Sequence, residues 1–140
     1  MNRGEIEAIL AKQKDAFARR DAEALTALHA PDGTFESPAY GTVTGRAAIR
    51  EIYRYWYVAF PDFLLTWESA LIDPPRASYF WNFTGTASGP FFGDVKVGSK
   101  VSMLGATEAA FGPQGIVSIR HIFDFSGTLL RAGVLKVKPA

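Results

Sequence analysis

Two residues near the C-terminus have side chains suited to proton-transfer chemistry, Asp124 and His121. Asp124 lies between Phe123 and Phe125, so we expect its carboxyl to be poorly solvated and its pKa to be raised, as a general acid or base requires. Such a base can take a proton from the carbon next to a carbonyl group. The alternative is an ion pair with Arg120, four residues back on the same strand face. The sequence supports the two interpretations about equally.

His121 is the second candidate, because histidine titrates near neutral pH and can act as a base or a proton relay. In a regular strand, alternation places His121 and Asp124 on opposite faces, and only a bulge would bring both into one cavity. If the strand is regular, the parity with Ile119 and Phe123 favours His121 as the cavity residue. A hydrogen-bonded histidine in the core or at the rim is the alternative.

The remaining polar candidates are weaker. Glu108 alternates with apolar residues, and we expect it to face solvent because an unpaired Glu is rarely buried. His29 precedes Pro31 at a predicted helix end, where we expect a capping or surface role. Gln13 lies on an apolar helical stripe, so its amide needs a partner, which is either the substrate or another side chain. Neither His has carboxylates at ligand spacing, so we predict no metal site and no cofactor.

The composition restricts the class of protein. We predict a single domain over residues 1–140, since this length is enough for one hydrophobic core. Lys and Arg number 15, Asp and Glu number 14, and the net charge of +1 would not attract nucleic acid or an anionic membrane. The chain has no Cys, which suits a reducing cytoplasm. No apolar run reaches the roughly 20 residues that span a bilayer, so we predict a cytoplasmic protein.

Three helices are predicted in the first part of the chain. Residues 3–18 have helical periodicity, and their stripe contains Ile6, Ile9, Leu10, Gln13 and Phe17. Asp21 is expected to cap a second helix, which should end at the Ala-Pro-Asp-Gly turn of residues 30–33. Gly45 precedes a third helix that Pro61 closes.

The chain then changes to strands rich in aromatic, branched and Thr residues, predicted at Phe63–Ala70, Arg76–Thr86, Lys100–Phe111 and Ile116–Phe125. Helices followed by strands are typical of an α+β fold. We predict three N-terminal helices packed on a curved antiparallel sheet, with a conical pocket enclosed between them.

Aromatic residues make up 14% of the chain, enough to fill a core and also line a cavity. The aromatic side chains that we expect to contact a substrate are Phe17, Trp56, Trp81, Phe111 and Phe123. In the strand 76–86, Tyr79 and Trp81 share one face while Phe80 lies on the other. Because both faces carry large apolar side chains, we expect a homodimer through the outer face of the sheet.

Three segments indicate a family. They are Leu25-Thr-Ala-Leu-His-Ala-Pro-Asp-Gly-Thr-Phe35 with Gly45-Arg-Ala-Ala-Ile-Arg50, then Phe60-Pro-Asp-Phe63, and finally the glycine-rich run 85–133, in which Asp124 precedes Leu129-Leu-x-x-Gly133. With these segments the chain resembles the NTF2-like superfamily, and within it the SnoaL-like polyketide cyclase group. The resemblance implies an α+β cone that holds a small hydrophobic ligand.

The resemblance also bears on the site. Ketosteroid isomerases of this superfamily use a helix Tyr, an Asp before Pro and an acid on a strand, and the corresponding positions here fall near Gln13, Ser37 and Thr107. None of these can do the job of its counterpart, although Thr107 and Gln13 remain candidates for substrate binding. The SnoaL-like cyclases use an Asp in the last strand, which Asp124 matches. The His that they commonly carry on the preceding strand is missing, and Glu108 is the nearest substitute.

Two functions follow as hypotheses. The first is a cofactor-independent cyclase or isomerase that acts by proton transfer on a small polyketide-like or terpenoid-like carbonyl compound, with Asp124 as acid or base and His121 assisting. The second is a non-catalytic small-molecule-binding or accessory domain of the same fold. A protein-interaction module has the least support.

Overall fold

The computed structural model describes residues 1–139 and has four helices and seven strands. In chain order they are α1 (Arg3–Ala18), α2 (Ala22–Ala27), β1 (His29–Ser37), β2 (Gly41–Thr44), α3 (Arg46–Ala59), β3 (Leu64–Trp67), β4 (Leu71–Asp73), β5 (Arg76–Thr86), β6 (Lys100–Gly112), β7 (Gly115–Phe123) and α4 (Phe125–Arg131). The predicted α+β class and the three N-terminal helices are confirmed. The short α4 was not predicted.

Local signals explain the helix starts. The Asn2 side chain accepts from the backbone N–H of Glu5, and the Glu5 carboxylate accepts from the backbone N–H of Asn2, so a capping box begins α1. Asp21 accepts from the backbone N–H of Ala24 and caps α2, as predicted. At the start of α3, Gly45 has a φ of 91°, a conformation in which a side chain would be strained.

The strands form one curved, unclosed sheet in the order β2-β1-β7-β6-β5-β3, with β4 also paired to β5. The pairs are antiparallel as predicted except for β1 and β7, which run parallel. Two predicted boundaries that bear on the site were wrong. The expected turn at residues 30–33 lies inside β1, where the register with β7 shifts between His29 and Thr34 and the irregularity accommodates Pro31. The predicted strand to Phe125 ends at Phe123, because Asp124 begins α4.

The core lies between the helices and one face of the sheet. Alternation in β5 buries Tyr79, Trp81 and Phe83 and leaves Phe80 on the opposite, outer face. The helices contribute side chains from the stripe of α1 and from α3, including Ile6, Phe17, Ile49 and Ile52.

Candidate functional site

A cavity of about 60 Å³ lies between the helices and the inner face of the sheet. Its lining is aromatic and aliphatic apart from a few polar atoms, and consists of Phe17, Phe35, Ser37, Ile52, Tyr53, Trp56, Tyr57, Phe63, Leu65, Trp81, Phe83, Met103, His121 and Phe123. A cavity needs roughly 10–15 Å³ of free space to admit one water molecule, so this space suits a compound of few heavy atoms. A larger ring would require the aromatic side chains to move apart.

The register of three strands determines which side chains face this cavity. Tyr79 of β5 lies opposite Thr107 of β6, and Thr107 lies opposite His121 of β7. One step along, Trp81 lies opposite Gly105, which in turn pairs with Phe123. All these positions have the same parity, so their side chains share the inner face.

Gly105 allows the arrangement, because a Cβ at this position would overlap the Trp81 indole, with three ring atoms within 2.5 Å. The ring of Trp81 therefore lies against the backbone of β6. Its Nε1–H donates to the Thr107 hydroxyl oxygen at 2.9 Å, and that oxygen is 2.6 Å from Nδ1 of His121. The three side chains form a short hydrogen-bonded chain that ends at the cavity.

His121 contributes an imidazole ring to the cavity lining, where it contacts aromatic rings. Phe35 contacts it edge-on with ring centroids 4.8 Å apart. Burial, with a smaller effect of His29, lowers the pKa of His121 to about 3, since a charged imidazolium is poorly solvated here. The ring is therefore neutral at physiological pH, and acts as a hydrogen-bonding group without a charge.

A second set of buried polar groups lies behind the cavity. Tyr53 of α3 lines the cavity, and its hydroxyl is 3.0 Å from Nε2 of His29, a residue with no exposed surface. The hydroxyl of Tyr79 donates to Oε1 of Gln13 at 3.3 Å. Burial lowers the pKa of His29 to about 4, with the Arg46 guanidinium adding a smaller effect, and raises the pKa values of Tyr53 and Tyr79. These groups are therefore neutral at pH 7.

The structure brings together some of the residues that the sequence singled out. His121 and the aromatic side chains of Phe17, Trp56, Trp81 and Phe123 line the cavity. Three further candidates are buried but do not belong to the lining, namely Gln13, Thr107 and Phe111. Gln13 and Thr107 instead hydrogen-bond other protein side chains, so their predicted contact with a substrate does not fit their positions.

Asp124 lies outside the cavity. Its side chain is 52% exposed, and it caps α4 by accepting from the backbone N–H of Gly127 at 3.0 Å. Arg131 forms an ion pair with it at 3.3 Å. The expected poorly solvated carboxyl is therefore not found, because the strand ends one residue before Asp124. The alternative pairing with Arg120 was also wrong, since Arg120 pairs with Glu36 at 3.0 Å.

Sequence reasoning misplaced His29 and missed Tyr53. The expected surface role of His29 is wrong, because it is the fully buried first residue of β1 and packs against Phe35 and Tyr53. A signal for Tyr53 was present, since it follows Ile49 by four residues on the apolar face of α3. Its hydroxyl partner was not visible in the sequence, because His29 is far away along the chain.

Glu108 is exposed, which agrees with its expected solvent-facing position. Among residues 1–139, no group of three or more His, Cys, Asp or Glu side chains is arranged to hold a metal ion. In the same part of the chain, no helix combines the length and apolar character needed to cross a membrane.

Comparison with known proteins identifies the family. A family profile described as "SnoaL-like domain" matches residues 10–121, which include most of the cavity lining. No curated protein matches this sequence.

Solved structures share the fold. A putative hydroxylase from Streptomyces galilaeus, AclR, is 24% identical and superposes with a TM-score of 0.83 over 99% of this chain and 91% of its own. TsrD from Streptomyces laurentii is 18% identical, with a TM-score of 0.82 over 96% and 99%. A protein from Catenulispora acidiphila with a ketosteroid isomerase-like fold, solved with trimethylamine, is 21% identical, with a TM-score of 0.76 over 94% and 97%.

Proposed function

Since the chain belongs to the SnoaL-like domain family, we propose that it is a cofactor-independent enzyme acting on a small apolar carbonyl compound. The compound binds in the cavity, and proton transfer next to its carbonyl group leads to isomerisation or cyclisation. The observation that carries this proposal is a neutral imidazole, His121, placed in an otherwise aromatic and aliphatic lining. Structural neighbours described as putative polyketide cyclases support the reaction class.

The apolar wall and His121 have separate roles in this proposal. The rings of Phe17, Trp56 and Phe123 exclude water and hold the hydrocarbon part of the compound. His121 hydrogen-bonds the carbonyl oxygen, on which negative charge builds up when the neighbouring carbon loses a proton. A fixed donor at such an oxygen typically contributes about 10²-fold to 10³-fold in rate. Among residues 1–139, no Asp, Glu or Lys lines the cavity, so the proton goes to a water molecule or hydroxide ion that enters with the compound.

A non-catalytic binding domain is the second candidate, and one observation favours it. No Asp, Glu or Lys is part of the cavity lining in the described chain, so no strong base stands beside the compound. The neighbour solved with trimethylamine supports the binding of a small molecule. In this case the cavity holds its ligand without changing it.

Hydrogen exchange next to a carbonyl distinguishes the two candidates. We would incubate the protein with cyclopentanone or acetylacetone in D₂O and follow the loss of the α-proton signals by ¹H NMR. The proposal predicts faster exchange than in buffer, and about 10²-fold less acceleration in His121→Gln. Asp124→Asn tests the prediction made from the family resemblance, and the structure leads us to expect a rate within about two-fold of the wild type.

The outcome of the exchange experiment distinguishes the enzyme from the binding domain and tests the role of His121. Binding without faster exchange would favour the binding domain. A loss of acceleration in Asp124→Asn, with His121→Gln still active, would overturn the proposed role of His121 and restore that of Asp124. Neither substitution should prevent folding, which thermal unfolding would check.

We also propose that the protein forms a homodimer through the outer face of the sheet. Three large apolar side chains on adjacent strands support this, because Phe80, Leu104 and Ile122 are 64%, 66% and 68% exposed. Phe80 and Ile122 both pair with Ala106, so they lie in one row across β5, β6 and β7. A contiguous apolar patch of this kind is typical of a protein interface.

A further inference from the structure

We propose that Thr107 and Trp81 fix His121 as the tautomer that carries its proton on Nε2, so that the cavity offers a hydrogen-bond donor. The site would then select compounds with an oxygen acceptor, such as a ketone or an enolate. This inference rests on the proposed function for the identity of the cavity, and it deepens that function by naming the polarity of the ligand. Thr107 and Trp81 are positioning residues here, because they act through His121.

The Thr107 hydroxyl has one hydrogen to donate. The indole Nε1–H of Trp81 can only donate, and it points at the Thr107 oxygen from 2.9 Å. That bond uses one of the two lone pairs of the oxygen, and the hydroxyl hydrogen then needs an acceptor of its own. Nδ1 of His121, 2.6 Å from the same oxygen, is in position to accept it.

The contact between the Thr107 oxygen and Nδ1 of His121 is 2.6 Å long. This is slightly shorter than the usual range of about 2.7–3.2 Å for an N–H donor to oxygen, which agrees with Thr107 as the donor and Nδ1 as the acceptor. An imidazolium donor would also shorten the contact, but the buried ring is neutral, as its lowered pKa indicates.

The side chains that hold His121 in this hydrogen-bonded set are buried. Thr107 and Trp81 are 2% and 6% exposed, so solvent does not compete for these hydrogen bonds. The phenol of Tyr79, on the same row, donates to Gln13 Oε1. A neutral imidazole holds one proton, and with Nδ1 accepting, that proton lies on Nε2. Nε2 is the ring nitrogen left to the cavity, so a ligand that provides an oxygen gains a hydrogen bond that a hydrocarbon ligand does not.

The tautomer can be measured directly by ¹⁵N NMR of the histidine side chains at pH 7, in the full-length protein without ligand. We expect Nε2 of His121 to have the chemical shift of a protonated ring nitrogen and Nδ1 that of an unprotonated one. The reverse assignment would overturn the inference. Thr107→Ser keeps the hydroxyl and should keep the tautomer, whereas Trp81→Phe frees the Thr107 lone pair and should let the second tautomer appear.

Ligand selection is the second readout. We expect cyclopentanone to bind the wild type several-fold more tightly than cyclopentane, which has a similar shape and no acceptor. The preference should persist in Thr107→Ser and fall in Trp81→Phe. If Trp81→Phe unfolds, the wild-type and Thr107→Ser measurements still decide the question. Equal binding of the two compounds by the wild type would overturn the inference.

The two measurements distinguish an error in the proposed tautomer from an error in the proposed catalysis. An Nε2–H tautomer with a ketone preference but no α-proton exchange would support the inference and contradict catalysis. An Nδ1–H tautomer with exchange that depends on His121 would support catalysis, with His121 acting as a base, and contradict the inference.

Discussion

Acid should destabilise this protein well above the pH at which its carboxylates titrate, because the fully buried His29 and the half-buried His121 are held as neutral rings. Burial lowers the pKa of His29 to about 4 and that of His121 to about 3, against about 6.5 for a histidine in an unfolded chain. Between these values the unfolded chain binds more protons than the folded protein. Stability therefore rises with pH in this window and is lost as the pH falls below about 6.5.

The loss of stability can be calculated from the same pKa values. Between pH 7.5 and 5.0 the unfolded form of each histidine becomes protonated while the folded form stays neutral. Proton linkage makes this worth about 2 kcal/mol for each histidine, or about 4 kcal/mol for both. Typical domains have a total free energy of unfolding of about 5–15 kcal/mol, so the loss should be easy to detect.

The two carboxylates whose pKa values are shifted should contribute little to the change in stability in this window. Backbone hydrogen bonds from Ala24 and Thr86 lower the pKa values of Asp21 and Asp62, respectively, so these groups protonate at still lower pH. The described neighbours of the two imidazoles are Phe35, Tyr53, Thr107, Trp81 and the cation of Arg46, and none of them is a carboxylate. The expected slope therefore belongs to the histidines.

The assay is urea unfolding at pH 7.5 and 5.0, followed by circular dichroism, for the wild type, His29→Gln and His121→Gln. Each variant should lose about 2 kcal/mol less than the wild type between the two pH values, whatever its absolute stability. A wild-type difference below about 1 kcal/mol, or variants that keep the full wild-type slope, would refute the reasoning.

Two further predictions concern the sheet. Phe80→Glu places a charge in the outer apolar patch, and light scattering should then show a monomer where the wild type forms a dimer; a monomeric wild type would contradict the proposed interface. Gly105→Ala should cost about 1–3 kcal/mol in urea unfolding and displace Trp81 from Thr107, seen as a shifted indole N–H signal in NMR, because the new Cβ overlaps the indole ring. Gly89→Ala, which has no atom within 4 Å of its Cβ position, is the matched control and should change neither measurement.

The elements that follow simple periodicity could be predicted from the sequence. The boundaries of β5 agree with the alternation of large side chains from residue 76 to 86, and those of α1 agree with its apolar stripe. The misses have local physical causes. Pro31 indicated a turn, but β1 tolerates it at an irregular point of its pairing with β7. Asp124 was assigned to a strand, although an Asp followed by a periodic apolar segment is also a helix cap.

The site was harder to predict because it depends on how three strands are aligned. Alternation alone favoured His121 over Asp124 for the inner face, and the cavity lining has His121. The partners of His121 depend on register, which places Thr107 opposite it and lets Trp81 reach the same hydroxyl. The segment 87–99 between β5 and β6 has no short hairpin turn that would set this register from sequence. The absence of a side chain at Gly105 then completes the geometry, because it leaves room for the indole. The chemistry of this cavity therefore depends as much on a glycine and a strand register as on the histidine itself.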